Sequence, residues 1–342
     1  MVRSGSRPEG ISTAGDAEVL DRALPVLEKY GENASAFLAL NAGNEFFTLP
    51  DEDGLIAYRR AGRYLVQFGG VFAAPERQPV LLREFRAAAA RERRRIVGVQ
   101  LQRADAELYR AAGFTINQVG ASYSVPLPDF SLRGSKFVKL RNKISRAGRS
   151  GLEVREVDFA AYADRIAAID RTWLRAKGRH VKEIEFLVGQ LGGPAQRLRR
   201  LFVGLLDGEP VAYISYSPAF GSRPGWLHDL SRRLPQTVPG VMEAVNAHAA
   251  GRFKEEGAGW LHFGFTPFTG LDPEHELAGH SPLTAKFMRL LAEHGGAVYP
   301  AQTQLAYKEK WAPEPALPEY LAFDGGARLG AIWQILRVTK SV

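Results

Sequence analysis

The chain has 342 residues, 45% of them hydrophobic and 24% charged, which is enough for two ordinary domains or one large one. It contains no cysteine, and this excludes disulfides, thiolate metal sites and a cysteine nucleophile. The formal net charge of +8 favours a polyanionic partner, such as nucleic acid, a phosphorylated metabolite or anionic lipid.

The N-terminal segment and the distribution of apolar residues predict where the protein works. Residues 1–15 are polar and rich in Gly and Ser, so we predict a disordered leader rather than a signal peptide. No stretch approaches the roughly 20 apolar residues of a membrane span. We therefore expect a soluble, cytoplasmic protein whose contact with a membrane, where it has one, is peripheral.

Residues 16–129 have the pattern of one α/β domain. Short apolar strands alternate with segments of helical periodicity, and Asp53-Gly54 and Ala61-Gly62 mark turns. The predicted elements, in order, are a helix over 17–30, strands over 46–49, 55–59 and 64–68, a helix over 76–95, a strand over 96–101, a helix over 104–112 and a strand pair over 114–127.

Residues 130–155 form a basic linker, predicted to be a helix followed by a strand. It holds eight Lys/Arg and one acidic residue, Glu153, so its excess of positive charge is nearly the whole net charge of the chain. At helical spacing a cationic stripe lies beside an apolar stripe of Phe137, Leu140, Ile144 and Ala147. A solvated surface helix is the alternative, but such faces usually mix charges of both signs. We therefore expect a polyanion to bind here.

Residues 156–342 repeat the element order of the first domain. The predicted elements are a helix over 159–177, a hairpin of strands 201–205 and 211–217, a strand over 226–230, a helix from 241 to 256, a strand over 260–265, a helix from Pro282 to His294 capped by Ser281, and a last strand before Tyr307.

The order hairpin, strand, helix, strand, helix, strand resembles the GCN5-related N-acetyltransferase fold. The helix exit from Leu108 to Phe114, with Tyr109 and Gly113, is also similar to that fold. We therefore predict an α/β protein of two tandem acetyltransferase-like domains joined by the basic helix. The glycine-rich loop that holds acyl-CoA in that fold is missing after Tyr64–Phe68 and after Trp226–Leu230, which argues against an ordinary acetyltransferase.

Three stretches together resemble the catalytic domain of the phosphatidylglycerol lysyl/alanyltransferases, the multiple peptide resistance factor family. They are Leu132–Arg146, Asp229–Glu243 with its Asp-Leu-x-Arg and Pro-Gly-Val-Met-Glu motifs, and Tyr307–Trp311. The resemblance covers about residues 35–323 and implies aminoacyl transfer from aminoacyl-tRNA, used as a co-substrate without cofactor or metal. The chain lacks the family's many-helix membrane region, so stand-alone transferases that act on natural-product intermediates are a second model for the acceptor.

The resemblance implies roles for the residues of these motifs. Asp229 and Arg232, three apart after a strand, are expected to pair, Asp229 holding the substrate ammonium and Arg232 a phosphate or the developing oxyanion. Glu243 and His228 are further catalytic candidates, with a helix-dipole role or a plain strand position as the alternatives. The expected tRNA contacts are Lys136, Lys139, Arg141, Lys143, Arg146 and Arg149, and the expected substrate or phosphate contacts are Arg233, Lys308 and Lys310.

The remaining histidines and the tryptophans favour structural roles. His262 lies in a predicted strand and is expected in the core, and His275 and His280 do not have a metal-ligand spacing. The five tryptophans are mostly separate from the basic helix, so we expect them in the core.

Three functions follow from these patterns. The first is an aminoacyl-tRNA-dependent transferase acting on the hydroxyl, hydroxylamine or amine of a small molecule or lipid. The alternatives are an acyl-CoA N-acyltransferase with a degenerate loop and a non-catalytic RNA-binding protein. CoA binding, tRNA binding and dependence on Asp229 distinguish them.

Overall fold

The computed structural model describes residues 16–50, 52–177, 185–294 and 301–340. The predicted leader, 1–15, lies outside the described residues. The first half contains the following elements: α1 (Asp16–Tyr30), β1 (Glu45–Phe47), β2 (Gly54–Ala61), β3 (Tyr64–Ala73), α2 (Gln78–Arg91), β4 (Arg95–Leu101), α3 (Arg103–Ala111) and β5 (Thr115–Pro126).

The linker and the second half contain the remaining elements. They are α4 (Val138–Arg149), β6 (Glu153–Val157), α5 (Phe159–Lys177), β7 (Arg200–Leu206), β8 (Glu209–Ala219), β9 (Gly225–Arg233), α6 (Val241–Glu255), β10 (Trp260–Pro267), α7 (Pro282–His294), α8 (Ala301–Glu309), β11 (Ala316–Phe323) and α9 (Leu329–Val338). The α/β fold class is confirmed, and so are most of the predicted helices and strands.

Two predicted strands are wrong. The strand pair predicted over 114–127 is the single strand β5. Gly120, in the middle of this strand, does not form a turn. It lies against β10, where a Cβ would be 2.3 Å from the backbone oxygen of Thr266. The strand predicted before Tyr307 is helix α8, and the last strand, β11, follows it. Residues 301–309 carry strong helix formers, which explains the helix.

The strands described form one sheet in which the halves exchange their last strands. The order is β1-β2-β3-β4-β11-β5-β10-β9-β8-β7-β6. Strand β11 of the second half therefore pairs with β4, and β5 of the first half pairs with β10. The two exchanged strands also pair with each other at the centre. The proposed division at 16–129 and 156–342 stays a prediction, but these strands cross it.

Helices cover both sides of the sheet. In the first half α2 and α3 pack on one side through Phe85 and Tyr109, and α1, α7 and α9 share a core on the other side. In the second half α5 covers one side, and α4, α6 and α8 cover the opposite side around Phe253 and Trp311. Gly240, at φ +90°, precedes α6 where a Cβ would meet the backbone oxygen of Lys143 at 2.3 Å. Glycine here lets α4 approach α6 closely.

Candidate functional site

Strands β9 and β10 of the second half separate beyond a short paired region. These parallel strands pair only over Gly225–Leu227 and Trp260–His262. Beyond that point β10 passes through an irregularity between His262 and Gly264 and stays with β5, while β9 stays with β8. Parted strands at the carboxyl ends of a parallel pair form a crevice that commonly binds ligands. We call this opening the β9–β10 fissure.

A β-bulge places Asp229 at the edge of this fissure. On β8, Tyr216 pairs with His228 and its neighbour Ser215 pairs with Leu230, so Asp229 is the extra residue. The side chains of residues three apart in a regular strand lie on opposite faces of the sheet. The extra residue of a bulge shifts this alternation by one position, so that the two side chains can lie on the same face. The bulge therefore puts Asp229 and Arg232 on the same face of the sheet, the one covered by α5.

The Asp229 side chain is completely buried and is bound to an arginine that was not predicted from the sequence. The Arg199 Nε donates to its carboxylate at 3.4 Å, and Arg199 also donates to Asn41 of the first half at 3.1 Å. Burial raises the pKa of Asp229, and the charge of Arg199 with the hydroxyls of Ser217 and Ser215 opposes that rise. The buried ion pair therefore joins the two halves at the fissure.

The expected pairing of Asp229 with Arg232 is wrong. Arg232 forms its ion pair with Asp170 of α5 at 3.0 Å and lies over the Trp173 ring at 5.0 Å. Asp170 also accepts a 2.6 Å hydrogen bond from Tyr213, the β8 residue opposite Arg232. Both motif residues lie inside β9 rather than after it, because the strand continues to Arg233. Each is therefore held by a partner from another element.

Lys308 reaches the fissure from α8. Its ammonium is buried and donates to the backbone oxygens of Gly264 at 2.7 Å and Phe265 at 3.1 Å, on the β10 side of the opening. Burial lowers the pKa of Lys308 to about 7, and the negative charge of Glu319 partly opposes this. The predicted position near a strand end is wrong, but the residue is one of the closest to the fissure. A lysine of this kind changes protonation near neutral pH.

His228 lies across the fissure from Lys308 on the face covered by α6. Burial lowers its pKa to about 4, so the imidazole is neutral at physiological pH. Its Nδ1 lies 3.3 Å from Asn246 Oδ1, which also accepts a 2.7 Å hydrogen bond from Tyr216. The ring packs edge-on against Tyr307 at a centroid distance of 5.9 Å.

Glu243 joins three helical segments. Its carboxylate accepts from Lys310 at 2.9 Å and from Lys143 of α4 at 3.3 Å, and its side chain is 8% exposed. Burial would raise the pKa of Glu243, but the hydrogen bond and charge of Lys310, with the charge of Lys143, hold it below its ordinary value. These contacts connect the basic helix to α6 and to the end of α8.

The sheet therefore separates the predicted site residues of the second half into two groups. Asp229 and Arg232 lie on the α5 side, whereas Glu243 and Lys308 lie with α6 and α8 on the other side. Glu319 of β11, which was not predicted as a site residue, is buried and hydrogen-bonded to Ser122. Burial raises the pKa of Glu319 to about 7. A lone glutamate inside an apolar strand was the available signal.

The basic linker has the two predicted stripes. Phe137, Leu140 and Ala147 are buried, and most of the cations are exposed. The exposed cations are Lys136, Lys139, Lys143, Arg146 and Arg149. Arg141 differs, because its guanidinium donates to the backbone oxygens of Leu132 and Gly134. Arg233, the predicted phosphate contact, is exposed and donates to the backbone oxygens of Leu234 and Pro235.

The described residues contain no helix long and apolar enough to cross a membrane. Over the same residues, no group of three or more His, Asp or Glu side chains is arranged to hold a metal ion. His262 is buried, as expected, with Ser124 and the Arg223 backbone oxygen as its partners.

Sequence comparison finds relatives along most of the chain. Residues 25–323 match the family described as phosphatidylglycerol lysyltransferase, C-terminal. The phosphatidylglycerol lysyltransferase of Bacillus subtilis is 25% identical over 299 residues, which are 86% of this chain and 34% of that protein. The Staphylococcus aureus enzyme of the same name is 23% identical over 91% of this chain and 36% of its own. The chain thus spans about a third of the length of these curated relatives.

Solved structures show the same fold. The C-terminal domain of a proposed lysylphosphatidylglycerol synthetase from Agrobacterium fabrum superposes with a TM-score of 0.79 at 22% identity, covering 96% of this chain and 99% of that one. The L-PGS of Bacillus licheniformis gives 0.74 at 23% identity, covering 93% and 96%. The family resemblance inferred from the three motifs is confirmed.

Proposed function

Because the chain belongs to the family of phosphatidylglycerol lysyltransferase C-terminal domains, we propose that it transfers an amino acid from aminoacyl-tRNA to the hydroxyl of a lipid acceptor. The acceptor oxygen forms a bond to the aminoacyl carbonyl carbon, and the bond from that carbon to the tRNA ribose oxygen breaks. The acceptor's proton ends on the ribose oxygen. The ester is already activated, so the protein must orient the two substrates and move one proton.

The observation that carries this proposal is the connection between the cationic face of α4 and the helices beside the fissure. The α4 cations form an exposed surface that could bind a polyanion, and Lys143 donates a hydrogen bond to Glu243 of α6. Glu243 in turn bonds to Lys310, two residues after Lys308. A tRNA bound on α4 would therefore lie against the elements that hold the buried amine.

Lys308 is the best candidate to accept the proton. A neutral amine has two N–H donors and one lone pair, and the two donors match the backbone oxygens of Gly264 and Phe265. The lone pair then remains for a substrate hydroxyl. A pKa of about 7 is suited to a general base at neutral pH.

Asp229 and Arg199 fit a positioning role better than direct substrate contact. The Asp229 side chain is 0% exposed, and Gly189 lies so close that a Cβ there would be 2.4 Å from the Asp229 carboxyl carbon. We propose that this ion pair fixes the bulge of β9, and with it the neighbouring His228, at the edge of the fissure.

Charge reversal on α4 tests the function. Changing Lys136, Lys139 and Arg146 to Glu spares Lys143, whose contact with Glu243 is partly structural. We expect transfer from charged tRNA to be lost and the fold to be kept. The plot of log affinity against log salt concentration should become less steep by about 2 to 3, because the variant makes fewer phosphate contacts and its binding therefore releases fewer counterions.

The matched control has the same change in charge on another exposed surface. Arg83, Arg91 and Arg110 of α2 and α3 are exposed and distant in sequence from the basic linker. Their change to Glu should leave tRNA affinity nearly unchanged. Equal losses in both triple variants would mean that net charge, and not the α4 surface, determines tRNA use.

A further inference from the structure

Most of the strongly exposed large apolar side chains among the described residues are on two helices. Leu329 (76% exposed) and Trp333 (52%) are on α9, and Leu283 (79%) and Leu290 (53%) are on α7. Val138, on α4, is the fifth at 41%. The exposure of Trp333 contradicts the expectation that the tryptophans are in the core. Exposed apolar groups collected in one region mark an interaction surface more often than scattered ones do.

Helix α9 presents two different apolar sides. Ala331, Ile335 and Val338 pack on the core of the first half. Leu329, Trp333 and Leu336, spaced by four and three residues, share the opposite side. We call the side formed by Leu329, Trp333 and Leu336 the α9 outer face. It lies beyond residues 25–323, the part of the chain that matches the family model.

The charges around the α9 outer face are positive. Arg328 precedes the helix, Arg337 is in its last turn, and the helix has no acidic residue. On α7, Lys286 lies between Leu283 and Leu290 and is exposed. Both helices pack on the same core on one side of the sheet, so their exposed sides point outward from the same side of the molecule.

We propose that the α9 outer face, together with the exposed leucines of α7, docks the protein on an anionic lipid bilayer. Leucine and tryptophan enter the boundary between headgroups and acyl chains, while the neighbouring cations meet lipid phosphates. The proposal rests on the proposed function in one respect, because a lipid acceptor must be collected at a membrane surface. An uncharged surface of a partner protein fits less well than a bilayer, because it would leave the cations around the α9 outer face without anionic partners.

Vesicle sedimentation with the full chain tests this. The first probe is vesicles of phosphatidylcholine with about 30 mol% phosphatidylglycerol, whose anionic headgroups give the vesicle a negative surface potential. The second probe is vesicles of phosphatidylcholine alone. We expect binding to the anionic vesicles to fall by about tenfold or more in the Leu329→Gln/Trp333→Gln variant, since both apolar groups lose their partition into lipid. Val138→Gln, which removes an exposed apolar group from α4, should bind like the unchanged protein.

The outcomes separate this inference from the proposed function. Equal binding by the α9 variant and the unchanged protein, or no binding to either vesicle, overturns the bilayer assignment. A dimer in sedimentation equilibrium that the α9 variant abolishes overturns it too, because a second copy then occupies the face. A failure of aminoacyl transfer with intact vesicle binding contradicts only the proposed function. Circular dichroism shows whether the α9 variant keeps its fold.

Discussion

Replacing Lys308 by Met tests the proton acceptor most directly. Methionine keeps the length and apolar stem of the side chain but removes the buried amine. The native protein holds the Lys308 pKa at about 7, against 10.5 for an ordinary lysine, because burial disfavours the ammonium. Between these two values the unfolded chain binds a proton that the folded protein does not bind. The stability of the unchanged protein must therefore rise with pH through this window.

The size of the effect follows from the two pKa values. Their difference corresponds to about 5 kcal/mol of native-state penalty below pH 7, which disappears as pH approaches 10.5. Removing the amine also leaves the oxygens of Gly264 and Phe265 without their donor, at a cost of about 1–3 kcal/mol each. The two effects nearly cancel at pH 7, so the pH dependence is more informative than the stability at any one pH.

Urea unfolding at pH 7.5, 8.5 and 9.5 measures that dependence. We expect the unchanged protein to gain about 1.4 kcal/mol per pH unit relative to the Met variant. Glu319, whose pKa is raised to about 7, acts mainly below this range, where its protonation stabilises the fold. Lys310→Met is the matched control. It breaks the contact with Glu243 but removes a side chain that is 31% exposed, so it should not change the slope.

Single-turnover transfer completes the test. With Lys308 as the base, transfer should increase through about pH 7 and be lost in the Met variant. Parallel pH profiles of stability for the unchanged protein and the Met variant would mean that the native amine is charged in this range. Such a result would refute the general-base assignment even if the variant were inactive.

Two predictions concern the covered carboxylate at the bulge. Asp229→Asn should destabilise the fold by about 3–5 kcal/mol, because it leaves the Arg199 charge buried without its partner, and thermal melting measures this. A variant as stable as the unchanged protein would show that the ion pair is not structural. Gly189→Ala should cost about 1–3 kcal/mol, since its Cβ would overlap the Asp229 carboxyl group, whereas Gly251→Ala in α6 meets nothing within 4 Å. Urea unfolding of both alanine variants, with equal midpoints, would contradict this packing.

Periodicity and turn residues were enough to predict most elements but not their pairing. The helix over Asp16–Tyr30 and the capped helix at Pro282 follow from local patterns that tertiary contacts do not alter. The insertion of β11 between β4 and β5 joins residues about 200 positions apart. No local pattern records such a contact, so two separate domains were the natural expectation.

The sequence predicted several residues of the candidate site but not how they are arranged. Motif resemblance selected Asp229, Arg232 and Lys308, all of which are in or beside the second-half sheet. Their partners could not be predicted, because a bulge changes which face a side chain occupies and Arg199 has no motif around it. The protonation of Lys308 depends on burial by α8, and the sequence analysis had assigned that region to a strand.

The exchange of β5 and β11 sets an order of events during synthesis. Strand β4 obtains its second neighbour only when residues 316–323 have been synthesised. Until then the nascent first half exposes a strand edge, and exposed edges are sites of wrong pairing. The two halves should therefore unfold as one cooperative unit. After a cut in the linker, the two fragments could separate only if each sheet lost a strand that it requires.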